Sequence, residues 1–242
     1  MYYDKLIYLT ILRFRRNRLF LQKALFKVLG LIVMGYILTM LVYLGLYLPD
    51  IISALNPNAN VVEKLNGGLL FIFVFDLAQR SFFQKLPSIV IKPLLTLPVP
   101  KQQLVNYLIT TSLAQWSNLL YFLVLIPFVY KTFPLYYEWW QAVLYVSCFV
   151  GFIAINHFGM VCIRLLALRY FLFRGLPFGI AILILIAQAN KWAAIKDYSE
   201  YFFNFTLQYE GIIILTVLIA GIYGLILSAQ KLLHRALYFD IL

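Results

Sequence analysis

Long apolar runs dominate the chain and alternate with short polar segments. Six of them come close to the roughly 20 apolar residues that an α-helix needs to cross a hydrocarbon core. The pattern predicts one all-α domain over residues 1–242, a polytopic membrane protein with six transmembrane helices. The predicted spans are about 28–48, 67–83, 104–130, 139–166, 177–194 and 211–229. A turn-rich stretch is expected from Pro49 onward, and Pro127 is expected to break the third span late.

The composition supports lipid as the surroundings of these runs. Hydrophobic residues make up 64% of the 242 residues and charged residues only 12%, whereas a soluble domain has about 45–50% and about 25%. The net charge of +11 would also suit a nucleic-acid partner, which recognises a clustered basic face. Because Lys and Arg flank the apolar runs instead, we expect contact with membrane lipids and no nucleic acid.

The basic residues predict the orientation. If the N-terminus lies in the cytoplasm, most Lys and Arg fall on cytoplasmic segments, as the positive-inside rule requires. An even number of spans then returns the C-terminus to the cytoplasm. The opposite side holds only Lys64, Lys131, Lys191 and Lys196.

Residues 2–27 mix apolar and basic positions ahead of the first span. They predict an amphipathic helix in the membrane interface, with a basic face on anionic headgroups. The alternative is a charged flank that only sets the orientation. The basic positions are Arg13, Arg15, Arg16 and Arg18, among others.

The second predicted span contains Asp76 and Arg80, four residues apart and therefore on one helix face. Charges within a span usually face a bundle interior or an aqueous cavity. The pair is either a functional pair on a substrate path or gate, or a structural ion pair with Arg80 snorkelling to the headgroups.

Asn156 and His157 lie in the middle of the fourth predicted span. A lone His in such a helix most often makes an interhelical hydrogen bond, and the alternative is a pathway or proton-relay role. Neither another His nor a Cys or carboxylate stands four residues from His157, so no metal site is predicted. Cys148 and Cys162 are about 21 Å apart along one helix and predict packing positions only.

Motifs of catalysis and nucleotide binding are missing. The chain has no His-Glu-x-x-His, no Gly-x-Ser-x-Gly and no Walker-type loop. We therefore expect no catalytic residues and no cofactor in this chain. If it belongs to an energised machine, ATP and Mg²⁺ bind to a partner subunit.

A proline-rich segment, 84–103, separates the second and third predicted spans. Prolines remove backbone donors and keep the segment out of one continuous helix, and a helix can restart after Pro100. Either the segment docks a cytoplasmic partner or it packs as an interfacial loop on its own bundle. The candidate docking residues are Leu94, Leu95, Leu97, Pro98, Pro100, Lys101, Gln102 and Gln103.

A family resemblance rests on the stretch 75–130, which contains Gln-Lys-Leu-Pro and then Leu-Leu-Thr-Leu-Pro-Val-Pro-Lys-Gln-Gln-Leu before a long apolar run. The stretch resembles a family of Bacteroidetes membrane proteins related to the export-type (type-2) ABC transporter permeases. The resemblance implies an interfacial elbow helix at 2–27 and a coupling helix within 84–103.

The same resemblance implies the function and the partners. The chain would be a permease subunit in a bacterial inner membrane, multi-pass and with both termini cytoplasmic, driven by a separate ABC-type ATPase subunit. A second permease copy or a paralogous half would complete the machine, since members of that family are about twice this length. The alternatives are a non-transporting scaffold or accessory subunit and an intramembrane lipid-modifying enzyme.

Overall fold

A computed structural model of the chain describes residues 24–55, 57, 59–84, 100–113, 115–190 and 194–238. Within these ranges the protein is all-helical and has no strand, as predicted. The helices are α1 (Ala24–Leu55), α2 (Val61–Phe83), α3 (Lys101–Leu113), α4 (Trp116–Tyr136), α5 (Trp139–Ala167), α6 (Leu172–Ala189), α7 (Ile195–Phe205) and α8 (Gly211–Tyr238).

Local signals in the sequence set several of these boundaries. Asn60 precedes α2, and its side chain accepts a hydrogen bond from the backbone N–H of Val62 at 2.9 Å. Glu138 and Gln141 form a reciprocal capping box at the start of α5. Such contacts supply partners for backbone groups that the first turn of a helix leaves unpaired.

Five stretches of helix are long and apolar enough to cross a membrane, which makes this a membrane-embedded protein. They are Val28–Leu55, Lys101–Tyr136, Trp139–Ala167, Leu172–Ala189 and Gly211–Arg235. Helix α2, which contains the second predicted span, is not among them, since charged and amide side chains lower its hydropathy.

The third predicted span, 104–130, differs from the structure in its continuity. It was expected to be broken late, at Pro127, but Pro127 lies inside α4. The interruption comes earlier, between Leu113 and Trp116. Here the sequence is polar on both sides, and the side chain of Asn118 donates to the backbone oxygen of Leu113 at 2.8 Å.

Two other predicted boundaries are corrected. The turn-rich stretch was expected to begin at Pro49, but α1 continues through Pro49 to Leu55. The fifth predicted span, 177–194, corresponds to α6, which begins earlier and ends at Ala189. A proline is tolerated near the start of a helix, where its missing N–H would have no partner in any case. Within a membrane bundle it is also tolerated later in a helix, because neighbouring helices can supply partners for the freed backbone groups.

Helix α2 lies at the centre of the bundle and contacts α1, α4, α5, α6 and α7. Its apolar residues share a core with α4, α5 and α7, in which Phe73 packs against Phe149, Phe152 and Phe203. A second core joins α3, α5 and α8. The polar side chains of α2 face α4, α5 and α7.

Contacts at one end of the bundle join segments that were predicted to share the outer side. Lys131 Nζ lies 2.7 Å from Asp50 Oδ2, and Lys64 Nζ lies 3.5 Å from Glu200 Oε2. The side chain of Asn60 also donates to the hydroxyl of Tyr137 at 3.1 Å, and burial raises the pKa of Tyr137. The end of α1, the start of α2 and the connection between α4 and α5 therefore lie at the same end of the bundle.

Candidate functional site

Asp76 of α2 is the centre of a buried polar cluster. Its carboxylate accepts hydrogen bonds from three side chains: Arg80 Nε at 2.7 Å, Tyr121 Oη at 2.5 Å and Asn156 Nδ2 at 2.9 Å. The donors come from α2, α4 and α5. Because a buried carboxylate is stable only when its charge is paired and its lone pairs are satisfied, Asp76 fixes the positions of these helices.

Arg80 pairs with Asp76 as the spacing predicted, but it does not snorkel. Only 2% of the residue is exposed, and its Nη1 donates to Asn118 Oδ1 of α4 at 2.8 Å. The interpretation of a pair with its cation in the headgroups is therefore wrong. The guanidinium lies inside the bundle, where the loss of either partner would leave an unpaired buried charge.

His157 of α5 is fully buried and faces polar atoms on both ring nitrogens. Nδ1 lies 3.4 Å from Arg80 Nη1, 3.4 Å from Gln84 Nε2 and 3.5 Å from Asn118 Nδ2. All three neighbours are donors, so Nδ1 is the acceptor. The proton of the neutral ring is then on Nε2.

Nε2 of His157 lies 2.9 Å from Ser112 Oγ of α3. With the proton on Nε2, the imidazole donates to this oxygen, and the Ser112 hydroxyl itself donates to the backbone oxygen of Ile109 at 2.7 Å. In a serine nucleophile the ring must accept the hydroxyl proton. The hydrogen bonds run in the opposite direction, so the pair joins α3 to α5 and does not activate Ser112.

Asn156, the neighbour of His157, reaches a different helix. Its Nδ2 donates to the Asp76 carboxylate and to the backbone oxygen of Phe73 at 2.8 Å, both in α2. Asn156 and His157 thus make interhelical hydrogen bonds, one of the two roles considered for them. Among the described residues no group of His, Cys, Asp and Glu is arranged to hold a metal ion.

Arg164 of α5 holds the last turn of α2. It lies half-buried in the last turn of α5, within the fourth predicted span. Its guanidinium donates to the backbone oxygens of Ser81 and Gln84. The last carbonyls of a helix have no partner within it, so Arg164 supplies the partner for this end of α2.

Two buried atoms of the cluster lack hydrogen-bond partners in the part of the chain that the structure describes. They are Arg80 Nη2, a donor, and Gln84 Oε1, an acceptor. Arg80 and Gln84 also line a half-open cleft of about 250 Å³, together with Asp76 and Tyr121. A buried donor or acceptor without a partner costs about 1–3 kcal/mol, so these two atoms lower the stability that the cluster gives to the bundle.

A second polar contact joins α7 to the other end of α2. Asn66 is fully buried; it donates to Asn204 Oδ1 at 2.7 Å and accepts from the Tyr145 hydroxyl at 2.8 Å. Ser199 Oγ donates to the backbone oxygen of Asn66 at 2.6 Å. The segment 195–210 is thus largely a helix anchored on α2.

The candidate docking segment is described only in part. Leu94, Leu95, Leu97 and Pro98 lie outside the described residues, as do Arg13, Arg15, Arg16 and Arg18 of the predicted elbow helix. The helix does restart after Pro100 as predicted, with Gln103 N and Leu104 N donating to the Pro100 oxygen. Lys101, Gln102 and Gln103 form an exposed first turn of α3.

The start of α3 lies beside the end of α8. Gln230 Nε2 donates to Asn106 Oδ1 at 3.1 Å, and a cleft of about 400 Å³ lies next to this contact. It is lined by Gln102, Leu227, Gln230, Lys231, His234 and Arg235. The structure therefore brings the basic C-terminal helix to the docking segment, which sequence reasoning did not foresee.

Four residues of the cluster were also missed: Gln84, Ser112, Asn118 and Tyr121. Ser112 and Asn118 stand on either side of the break between α3 and α4. Their polarity inside an apolar run was the available signal, because a polar side chain within a span is usually buried against a partner.

Comparisons with known proteins give one match. The family of unknown function DUF5687 matches residues 10–242, which is nearly the whole chain. No curated protein and no solved structure matches it.

Proposed function

We propose that this chain, which belongs to the family of unknown function DUF5687, is the permease subunit of an export-type ABC transporter. A separate ATPase chain, carrying ATP and Mg²⁺, would drive it. The resemblance of residues 75–130 to such permeases supports this proposal, and so does the overall plan of a helical bundle with a proline-bounded segment ahead of a long apolar run.

The observation that carries the proposal is the buried Asp76–Arg80 ion pair, 2.7 Å between Nε and Oδ2, in the middle of the apolar bundle. Ionisable residues inside membrane bundles are costly and commonly mark substrate or ion pathways. The pair is linked through Asn118 and Asn156 to α4 and α5. A movement of α2 against these helices would exchange those hydrogen bonds, which is how a gate between two arrangements could work.

In the proposed topology α2 also crosses the membrane, covered by neighbouring helices, and it raises the number of spans from five to six. Both termini then lie in the cytoplasm of a bacterial cell, and the chain is multi-pass in the inner membrane. The polar residues of α2 support this placement, since Asp76 and Arg80 face protein and not lipid. A span covered by other helices need not be as apolar as a lipid-exposed one.

The ATPase would dock on the cytoplasmic end formed by α3 and α8. The exposed turn Lys101–Gln103 and the neighbouring basic residues of α8 form one continuous face. Docking there would transmit motion through α3 to Ser112, which bonds His157 in the polar cluster. A second copy of this chain or a paralogous half would complete the transporter.

The test is purification of the tagged full chain from its native membrane in mild detergent, with the co-purifying chains identified by mass spectrometry. We expect a stoichiometric nucleotide-binding subunit. Purification without any ATPase would contradict the permease and leave the scaffold or accessory subunit as the function.

A variant pair locates the docking face. Lys101→Glu combined with Gln103→Glu is expected to release the ATPase while the chain still folds, because both changes reverse or add charge on an exposed turn. The matched control is Gln208→Glu, an exposed residue at the opposite end of the bundle. If equal amounts of ATPase co-purify with both variants, α3 is not part of the docking interface.

A further inference from the structure

The cleft between the start of α3 and the end of α8 is built from two helices that carry no acidic residue. Its volume is about 400 Å³, within the range of about 300–1,000 Å³ that is usual for small-molecule sites. Gln102 and Gln230 both donate to Asn106 Oδ1, at 3.4 and 3.1 Å, and join the two helices beside it. Lys231 and Arg235 line it, and neither α3 nor α8 contains Asp or Glu. The cleft is therefore positively charged.

The two cations of the cleft are accessible to a ligand. Lys231 and Arg235 are exposed, and neither forms an ion pair with a residue that the structure describes. They stand four residues apart in α8, so their side chains leave the same face of the helix. An ammonium and a guanidinium so placed can bind one phosphate group together, the guanidinium through two parallel N–H donors. The charge of the cleft thus complements a phosphate.

The position of the cleft along α8 matches the edge of a hydrocarbon core. Just before α8 begins, the ring of Tyr209 stacks on Trp140 with 4.7 Å between centroids, and such aromatic residues are enriched at membrane interfaces. Lys231 lies about 30 Å along the helix from Gly211, and a typical hydrocarbon core is about 30 Å thick. Lys231 and Arg235 therefore lie at the headgroup layer of the opposite leaflet.

The same face of α8 is apolar on the membrane side of the cleft. Tyr223, Leu227 and Lys231 follow one another at four-residue intervals and lie on one side of the helix. Tyr223 is 64% exposed, and Leu227, which also lines the cleft, is 38% exposed. An acyl chain can lie along Tyr223 and Leu227 while its headgroup is at Lys231. A free phosphate would use the charge but not this apolar face.

We propose that this cleft binds an anionic phospholipid, with the headgroup phosphate between Lys231 and Arg235 and an acyl chain along Tyr223 and Leu227. A zwitterionic lipid has the same phosphate, but its own ammonium cancels the charge. The described residues that line the cleft include no carboxylate to receive that ammonium. The site therefore selects a net negative headgroup, such as that of phosphatidylglycerol.

The number of cations sets the expected preference. Each basic residue close to a membrane surface strengthens the binding of anionic lipid about fivefold, so two of them give about thirtyfold. In the proposed orientation the lipid belongs to the cytoplasmic leaflet. It lies at the membrane edge of the face on which the ATPase is proposed to dock, and Gln102 is the residue of the turn Lys101–Gln103 that lines the cleft.

The test uses the delipidated full chain in detergent and measures bound lipid by native mass spectrometry. Phosphatidylglycerol and phosphatidylcholine with the same acyl chains are added separately. We expect phosphatidylglycerol to bind about thirtyfold more tightly, and the preference to fall as salt screens the charges. Equal binding of the two lipids would overturn the proposal. Competition by soluble glycerol 3-phosphate at the same concentration as the lipid would make the cleft a site for free phosphate and would also overturn it.

A double variant assigns the preference to the cleft. Lys231→Gln with Arg235→Gln should bind phosphatidylglycerol no better than phosphatidylcholine. Both positions are exposed, so the binding of phosphatidylcholine and the unfolding temperature without lipid should not change. Lys231→Gln alone should keep about a fivefold preference. This graded loss for one lipid is a result that misfolding would not produce.

The matched control removes the same charge from the same end of the bundle. Arg169→Gln with Arg174→Gln changes two exposed basic residues in and beside the connection between α5 and α6. That connection is at the same end as the cleft, since Leu165 of α5 packs with Leu104 of α3 and Leu233 of α8. The control should keep the full preference. An equal loss of preference in the control would assign it to the general basic surface and refute the site.

The ATPase gives the remaining outcome. If Lys231→Gln with Arg235→Gln releases the ATPase but keeps the lipid preference, the cleft belongs to the docking face and the lipid proposal is wrong. The lipid experiment itself uses this chain alone. A failure to find an ATPase partner would therefore leave the lipid site standing, and a failure to bind lipid would leave the permease proposal standing.

Discussion

Gly45 of α1 lies directly against the backbone of Val124 in α4. A Cβ on Gly45 would stand 2.3 Å from the Val124 carbonyl oxygen, closer than any side chain can be. Small residues let membrane helices approach in this way and pack by van der Waals contact. Leu41 and Leu48 stand about one turn on either side of Gly45, and each lines a cleft beside α2 and α4. This contact therefore sets the position of α1 next to those helices.

Gly45→Ala is expected to lower the free energy of unfolding by about 1–3 kcal/mol, as overpacking of a close contact does. Thermal unfolding of the purified protein in one detergent measures the change. Gly35→Ala, in the same helix, is the control, since a Cβ there meets no described atom within 4 Å. Equal loss of stability in the two variants would refute the close contact.

The buried ion pair gives a second prediction. Asp76→Asn leaves the Arg80 guanidinium without a counter-charge inside the bundle and should cost about 3–5 kcal/mol. Replacing both, with Asp76→Leu and Arg80→Met, removes the unpaired charge and should cost less than Asp76→Asn alone. Unfolding of the two variants in the same detergent tests this order, and a double variant less stable than Asp76→Asn would contradict it.

The same pair separates a structural role from a transport role. If the permease proposal is right, the double variant should assemble with the ATPase but lose transport, because no exchangeable ion pair remains. Recovery of the partner subunit and ATP-dependent movement of substrate are measured on the same preparation. Full transport by the double variant would leave Asp76 and Arg80 as structural residues.

Helix spans were predictable where an apolar run is continuous and its start carries a cap. The fourth span was predicted at 139–166 and the structure has Trp139–Ala167, beginning after the Glu138 capping box. The break between Leu113 and Trp116 was missed, because it contains neither Gly nor Pro. Its origin is tertiary: the side chain of Asn118 bonds the end of α3, and Ser112 bonds His157.

The candidate site was predictable only within one helix. The spacing of Asp76 and Arg80 follows from the helical repeat, so their contact could be read from the chain. Asn118, Tyr121 and Asn156 reach the pair from other helices, and helix order and rotation are set by packing that periodicity does not specify. For the same reason, the contact between the basic end of α8 and the docking segment could not be predicted from the sequence.

Asn66 gives a prediction about α7. Asn66→Leu removes the partner of the Tyr145 hydroxyl and of Asn204 in a fully buried place, and should cost about 1–3 kcal/mol of unfolding free energy. Thr216→Val, an exposed position of α8, should stay within about 0.5 kcal/mol. Thermal unfolding compares the two, and equal stabilities would show that α7 is not held through Asn66.

The proposed topology gives the last prediction, and single cysteines test it. The native Cys148 and Cys162 are buried, so a membrane-impermeant maleimide should label them little in intact cells. Cysteines are introduced at three exposed positions: Leu55 at the end of α1, Gln102 at the start of α3 and Gln208 before α8. With both termini cytoplasmic, Leu55→Cys and Gln208→Cys should react in intact cells, and Gln102→Cys only after lysis.

The labelling pattern also tests whether α2 crosses the membrane. Between Leu55 and Gln102 only α2 and the segment 84–100 intervene, so the two positions lie on opposite sides only if the chain crosses there. Gln102 and Gln208 are separated by three of the stretches able to span and serve as the internal reference. If Leu55→Cys behaves like Gln102→Cys, α2 does not cross and the chain has five spans. If all three cysteines show the reverse of the expected pattern, the six spans stand and the orientation is inverted.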